Sequence, residues 1–534
     1  MARHIPLPRR GRPAPTAPAT RPAATGRRPA SGAALALAAA LAGSPAAAEP
    51  HFQPRPLPGH VYAGGWEHFV GGGVAAFDCD GDDLPELYAA GGDEPARLMR
   101  NVSARGGPLA FAEDTPASLA LTGVTGAYPL DIDGDGRLDL AVLRVGPDKL
   151  LRGRGGCRFA PFEGLGFDSP DRWTTAFSAT WEAGRRLPTL AFGTYIDRSD
   201  ASGPFGACDA PLLYRPEGGR YGAPLRLEPG FCTLSMLFTD WGRTGRADLR
   251  VSNDRHYYVR GGQEQMWAME AAPRLYTEAE GWRPYRLWGM GIASRDVTGD
   301  GYPDVYLTSI GDQKLQLFDP AAGGPVYRDA TYDRGTTAHR PHTGDDGRPS
   351  TGWHAAWGDV NNDGRDDLFV AKGNVEQMPD AAMRDPNTLL VQGPGGRFEE
   401  RAAEAGVASM ARSRGAALVD LDLDGALDLA VVNRRAQMEL YESAGVEGHW
   451  LLVGIAAPAP NTRAVGAFVE LRAGGAVQTR EVTVGGGHAG GHAGLLHFGL
   501  GEAERAEIRV IPPGGAPTGW REVAANRIVR IALD

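Results

Sequence analysis

The sequence predicts an all-β chain, a seven-bladed β-propeller over residues 55–446 followed by a small β-sandwich-like domain over residues 449–534. Three observations predict it. Glycine and proline are abundant, 75 and 41 of 534 residues, so the chain turns often and suits strands joined by tight turns. A pattern of short apolar run, Asp-rich loop and second apolar run returns along most of the chain. From His449 onward that pattern gives way to short alternating runs separated by Gly or Pro.

The chain opens on a basic, Pro-rich lead with seven arginines and no acid before Glu49. An apolar stretch, Ala33–Ala42, follows, and then Ala46-Ala47-Ala48. That order is the order of an export signal with an A-x-A cleavage site, so residues 1–48 are expected to be a signal peptide and the mature protein periplasmic or secreted. The apolar stretch is too short to span a bilayer, and no other segment is a transmembrane candidate. Formal net charge is −10, and about −17 without the lead, which argues against a nucleic-acid partner. Four cysteines lie beyond the cleavage point, and an even count in an exported chain favours two disulfides. Cys208 with Cys232 and Cys79 with Cys157 are the least entangled pairs.

The repeat reads as an apolar run, D-x-D-x-D-G-x-x-D, and a second apolar run. It is clear in GVAAFDCDGDDLPELYAAGG, AYPLDIDGDGRLDLAVLRVG, GIASRDVTGDGYPDVYLTSIG, HAAWGDVNNDGRDDLFVAKGN and AALVDLDLDGALDLAVVN. MLFTDWGRTGRADLRVSND is a weaker copy, and SATWEAGRRLPTLAFGTY has lost the loop acids except an out-of-register Glu182. First loop positions fall at 78, 131, 181, 240, 296, 359 and 420. Such a period fits a four-stranded blade with insertions, and a blade that cannot bury both faces alone needs neighbours, so seven close into a ring.

Carboxylates at loop positions one, three, five and nine, with a backbone carbonyl at seven, are the oxygen donors a hard cation such as calcium takes. Glycine at position six permits the sharp turn around the ion. Blade one offers Asp78, Asp80, Asp82 and Glu86, with Asp83 in place of the turn glycine. Blade two offers Asp131, Asp133, Asp135 and Asp139 with the Arg137 carbonyl. Blade five offers Asp296, Thr298, Asp300, Asp304 and the Tyr302 carbonyl. Blade six offers Asp359, Asn361, Asp363, Asp367 and the Arg365 carbonyl; blade seven offers Asp420, Asp422, Asp424, Asp428 and the Ala426 carbonyl. An EF-hand needs flanking helices and a Glu at position twelve, whereas both flanks here are strand-like. About five calcium ions are expected, each tying two strands together.

These loops resemble the FG-GAP/VCBS repeats of integrin α-chain propellers, and the resemblance implies calcium in the turn between the first and second strands of a blade. In the tail, the stretches N-T-R-A-V-G-A-F-V, H-F-G-L-G and V-A-A-N-R-I resemble the ASPIC/UnbV domain. Taken whole, the mature chain is similar to the cartilage acidic protein family and its bacterial members. Ile511-Pro512-Pro513-Gly514 departs from the Trp-Pro-Ser-Gly turn more frequent in that family. His488, His492 and His497 lie in a Gly-rich stretch; they read as mobile loop histidines with His497 on a strand, and zinc ligation is the sharper alternative.

In a propeller the calcium loops share one rim and the longest insertions fall on the other. That second rim is the expected ligand surface, with Asn253, Asp254, His339, His342, Asp345, Trp353, His354, Asn374 and Glu376 as its candidates. The function expected is a non-enzymatic binding or adhesion scaffold for glycan or protein. The alternative is a metal-dependent hydrolase or lyase built on His339, His342, His354 and Asp345, although no HExxH, GxSxG, P-loop or dinucleotide fingerprint is present.

Overall fold

The computed structural model describes residues 49–534 except 202, 204–205, 255–260 and 338–346. Seven four-stranded antiparallel units follow one another, those of blades two and three joined where Arg172–Trp173 pairs with Val145–Gly146. Their innermost strands are Val74–Phe77, Val124–Leu130, Arg172–Thr180, Thr233–Thr239, Gly291–Arg295, Gly352–Gly358 and Ser413–Val419. Each packs beside the next, and the seventh packs beside the first, so the ring closes. The inner strands are buried on both faces, which is why they read as near-continuous apolar or small-residue runs.

Closure uses the first strand of the described residues. His51–Arg55 pairs antiparallel with Glu439–Ala444 as the outer strand of blade seven, so the propeller begins four residues before the expected boundary at 55. HFQPR shows no strand alternation, and Pro54 is tolerated because this strand is an edge. Both expected disulfides are present: Cys79–Cys157 joins blades one and two, and Cys208–Cys232 joins blades three and four.

The tail forms two sheets. One contains Leu496–Gly501, His449–Ala456 and Arg527–Ala532; the other contains Ala476–Glu481, Phe468–Ala473, Arg505–Ile511 and Arg521–Ala524. Leu451, Val453, Val469, Leu471, Phe498, Ile508 and Val510 fill the space between them. All six expected tail strands are present, joined by a seventh, Arg521–Ala524.

The tail sits on the Asp-rich rim of the propeller. Thr462 donates to Asp131, Glu481 accepts from Asp240 N–H at 2.7 Å, and Arg480 pairs with Asp366 at 2.8 Å. Arg243 from blade four reaches Glu470 at 2.7 Å. From this cap the stretch Val482–Gly494 descends into the central channel as a plug. Val484, Gly485, Gly487 and Gly490 bridge the inner strands of blades three, four, five and two, and His492–Ala493 adds a parallel pair to blade one. Ser178 and Ser235 donate to the Val484 and Gly487 carbonyls at 2.6 and 2.7 Å, satisfying backbone groups that the channel shields from water.

The plug tip reaches the far end of the channel. There His488 lies beside Trp353, its Nε2 accepts from Gly71 N–H at 3.1 Å, and its Nδ1 meets the Met290 carbonyl at 3.0 Å. Only glycine fits much of this path. A Cβ on Gly487 would lie 2.4 Å from the His354 ring, and one on Gly485 would lie 2.5 Å from Ser178 Oγ. The histidines of this stretch therefore differ: His488 and His497 are buried with separate backbone partners, and His492 is exposed. They form no common ligand set, and the loop reading fails for His488 because its surroundings come from the propeller.

Candidate metal centres and the opposite rim

Each Asp-rich loop is built the same way. The first aspartate accepts backbone N–H groups three to five residues on, as Asp131 does from Gly134, Asp135 and Gly136 at 2.8–3.1 Å. Asp296 repeats this with Gly299, Asp300 and Gly301, and Asp420 with Leu423 and Gly425. The ninth residue reaches back: Asp139 accepts from Ile132 N–H at 2.7 Å and from Gly153 N–H at 2.8 Å. Gly136, Gly301, Gly364 and Gly425 have φ between 86° and 93° at position six, and Asp83 takes φ 75° in blade one.

This folding gathers carboxylates. Asp78, Asp80 and Glu86 bring ligand oxygens within 4.8 Å of one another; so do Asp131, Asp133 and Asp139, and Asp420, Asp422 and Asp428. In blade one, Asp80 Oδ1 and Glu86 Oε1 are buried without a hydrogen-bond partner, as is Asp133 Oδ1 in blade two. Burial, reinforced by neighbouring carboxylates, pushes Glu86, Asp139 and Asp420 up to about 8 and Asp422 up to about 7. Orphaned oxygens among like charges are what a bound cation would satisfy, and an all-oxygen donor set suits a hard one.

Loops five and six hold their acids less tightly. Thr298 and Asn361 stand at position three, and neither loop draws three acidic ligand atoms within the same distance. Burial still raises Asp304 to about 7, and burial with mutual repulsion raises Asp359 and Asp367 well above the ordinary carboxylate range. Guanidinium groups balance part of the clustered negative charge: Arg100 meets Asp80 at 2.6 Å, Arg152 meets Asp133 and Asp135 at 2.8 and 2.9 Å, and Arg365 meets Asp363. In the degenerate loop of blade four Arg246 pairs with Asp248 at 3.2 Å, so a side chain stands where clearer repeats gather carboxylates.

On the opposite rim the expected candidates do not form an open surface. Asn253, Trp353 and Asn374 are fully buried, and Asp254 and His354 nearly so. Asn374 caps its own loop by accepting from Glu376 and Met378 N–H groups. Trp353 lies under Arg414, whose guanidinium is 4.0 Å from the ring, and donates to the Gly373 carbonyl. His354 Nδ1 accepts from His488 N–H at 3.0 Å. These residues begin inner strands or end second strands, where neighbouring blades and the plug enclose them. Glu376 is half-exposed and held by Arg434 at 2.7 Å and by Arg435. His339, His342 and Asp345 lie outside the described residues.

What this rim does expose is Trp66, at 53%. It stacks on Phe69 with ring centroids 4.6 Å apart, and Phe69 packs edge-on to Trp173 and Tyr195. The segment is pinned from below. Arg414 donates to the Phe69 carbonyl, Tyr62 Oη to that of Val70, and Arg434 to those of Gly64, Gly65 and His68. Glu67 and Asp171 share Arg198, and Asp93 lies 3.1 Å from His68, so charged groups ring the aromatic platform. The signal was the short phrase GGWEHF just before the first repeat, overshadowed by the longer insertions.

Comparison with known proteins agrees with this architecture. Residues 457–533 match the ASPIC and UnbV family and residues 78–142 match the FG-GAP-like repeat. The chain thus carries an FG-GAP-like propeller repeat and a C-terminal ASPIC and UnbV domain. No curated protein matches the chain. Among solved structures, BBS1N in complex with ARL6DN is 11% identical, with a TM-score of 0.41, covering 75% of this chain and 99% of that one. The extracellular domain of the putative hybrid two-component system BT3049 from B. thetaiotaomicron is 9% identical, with a TM-score of 0.40, covering 91% and 58%. An Agrocybe aegerita lectin that recognises non-reducing terminal N-acetylglucosamine is 15% identical, with a TM-score of 0.37, covering 67% and 88%.

Proposed function

We propose that the protein is an exported, calcium-loaded propeller acting as a non-enzymatic binding scaffold, with a glycan taken on the rim opposite its metal loops. Export is supported by the basic, apolar and Ala-rich lead and by two disulfides. Calcium is supported by three gathered carboxylate sets, those of blades one and two with orphaned oxygens, and the five in-register loops set the expected number at about five ions.

The observation that carries the binding surface is the exposed Trp66 platform. An indole held rigid by a stacked neighbour offers an apolar face to the C–H face of a sugar ring, while flanking carboxylates and guanidiniums suit its hydroxyls. The cap and plug occupy the other rim and the channel, leaving this face as the open end. A glycan array with the purified mature protein should give a selective hit. Trp66→Ala should weaken that hit at least ten-fold without moving the melting temperature. Equal binding by Trp66→Ala would reject the platform, and a hit confined to protein ligands would replace glycan by protein.

A further inference from the structure

The Cys79–Cys157 disulfide is built into the first metal loop. Cys79 is loop position two of blade one, flanked by Asp78 and Asp80, and Cys157 sits in the turn between the third and fourth strands of blade two. Glu86, fully buried, shares this place: its Oε2 lies 3.0 Å from Cys79 Sγ and accepts from Cys79 N–H at 2.9 Å. A disulfide sulfur carries no hydrogen, so the sulfur–oxygen approach is a bare contact. Glu86 Oε1 has no partner at all. The ligand atoms of Cys79, Cys157 and Glu86 lie within 4.8 Å of one another. Glu86 therefore belongs to two donor sets, one of oxygens with Asp78 and Asp80 and one containing both sulfurs.

The backbone holds the two cysteines together without the covalent bond. Cys157 N–H donates to the Cys79 carbonyl at 3.1 Å, Cys79 N–H is anchored on Glu86, and Cys157 is buried in the core of blades one and two. The Cα atoms are 4.8 Å apart. In a tetrahedral site two thiolates at about 2.3 Å from zinc stand about 3.8 Å apart, a separation that side-chain rotation from such Cα atoms can reach.

We propose that reduction of Cys79–Cys157 converts this place into a zinc-type site with ligands Cys79 Sγ, Cys157 Sγ and Glu86, so that the first loop exchanges a preference for a hard cation for a borderline-soft one. A dithiol supplies two electrons and two protons: the S–S bond breaks, two thiols form, and the dithiol closes to its own disulfide. Metal binding then releases the two thiol protons to solvent as two metal–sulfur bonds form, while the Glu86 carboxylate adds an oxygen ligand. Thiolates beside a buried carboxylate repel it unless a divalent ion lies between them. The proposal shares Glu86 with the calcium reading, but calcium analysis of the oxidised protein tests that reading separately.

The test uses the mature chain, oxidised or reduced with a dithiol and desalted without oxygen, in millimolar calcium. Metal analysis after zinc equilibration should show one more zinc per chain in the reduced sample, and cobalt(II) should produce a thiolate-to-metal charge-transfer band there only. Cys157→Ser should abolish both signals and Cys208→Ser should keep them, because no carboxylate clusters with the second pair among the described residues. Glu86→Gln should weaken zinc at least ten-fold while retaining the thiols. Equal zinc in both redox states, or excess zinc that survives Cys157→Ser, overturns the proposal. So does loss of the native near-ultraviolet circular dichroism on reduction, because the site depends on the backbone keeping the cysteines together.

Discussion

Replacing Gly126 by alanine adds one methyl group to the inner strand of blade two, pointed at the plug. Its Cβ would lie 1.7 Å from the Ala489 carbonyl oxygen, and real Cβ contacts essentially never fall below 3.0 Å. The plug must then withdraw by about 1.3 Å, with the same oxygen already facing Gly73 from blade one, where a Cβ would lie 1.8 Å away. Gly126 is not in the left-handed region, so the backbone tolerates alanine and the effect is steric. Overpacking costs about 1–3 kcal/mol. Withdrawal also stretches the bonds of Gly71 to His488, Ala76 to Gly491 and Ser235 to Gly487, at about 1 kcal/mol each. A loss of about 4–6 kcal/mol is expected. With an unfolding entropy of about 2 cal/mol/K per residue over a body of this size, that is about 4–6 °C by calorimetry. Hydrogen exchange at residues 485–491 should rise at the same time. Gly222→Ala, which meets nothing within 4 Å, is the control. If Gly126→Ala melts and exchanges as the control does, the channel is not plugged as described.

Three further outcomes follow from the same geometry. Equilibration in millimolar calcium should leave about five ions per chain, and chelation should lower the melting temperature, since each site adds about 1.4 kcal/mol at ten times its Kd; one ion or none refutes the calcium reading. Arg480→Met leaves the buried Asp366 carboxylate at the junction of cap and propeller with the more distant Arg295, 3.7 Å away, and should cost about 1–3 kcal/mol in denaturant unfolding, whereas an unchanged stability would mean the pair contributes little. Burial pulls His354 down to about 4 and His488 down to about 3, from an ordinary 6.5. Between pH 6.5 and 4 the unfolded chain binds protons at both positions and the folded chain does not, so stability falls with pH by up to about 1.4 kcal/mol per unit for each. With calcium saturating, His488→Asn should flatten that slope by about one such contribution, and an unchanged slope would contradict burial of the ring.

Much of this protein is local, and local features were legible. Each Asp-rich loop closes within nine residues, because the first and ninth acids accept the N–H groups of their own turn. Asp131 and Asp139 thus announce their geometry by spacing alone. The strands flanking each loop pair with each other, so the repeat period also predicted seven blades, and the alternating runs after His449 predicted the tail sheets. Trp353 and His354 were misread for the converse reason. Polar and aromatic side chains next to a long insertion look surface-bound until neighbouring blades and the plug are known to cover them.

The sequence by itself therefore determined the architecture and the position of the acidic loops, because each rests on composition or short spacing, while an even cysteine count left the pairing open among three arrangements. Only the tertiary structure decided that the tail caps the acidic rim, that its Gly485–Gly491 stretch fills the channel, that His51–Arg55 closes the ring, and that Trp66 is left in solvent. Those features join residues hundreds of positions apart, as Gly71 meets His488 and Gly126 meets Ala489. A glycine run is written identically whether water or a carbonyl oxygen stands where its side chains would be. The difference lies in the neighbours, and the neighbours come from folding.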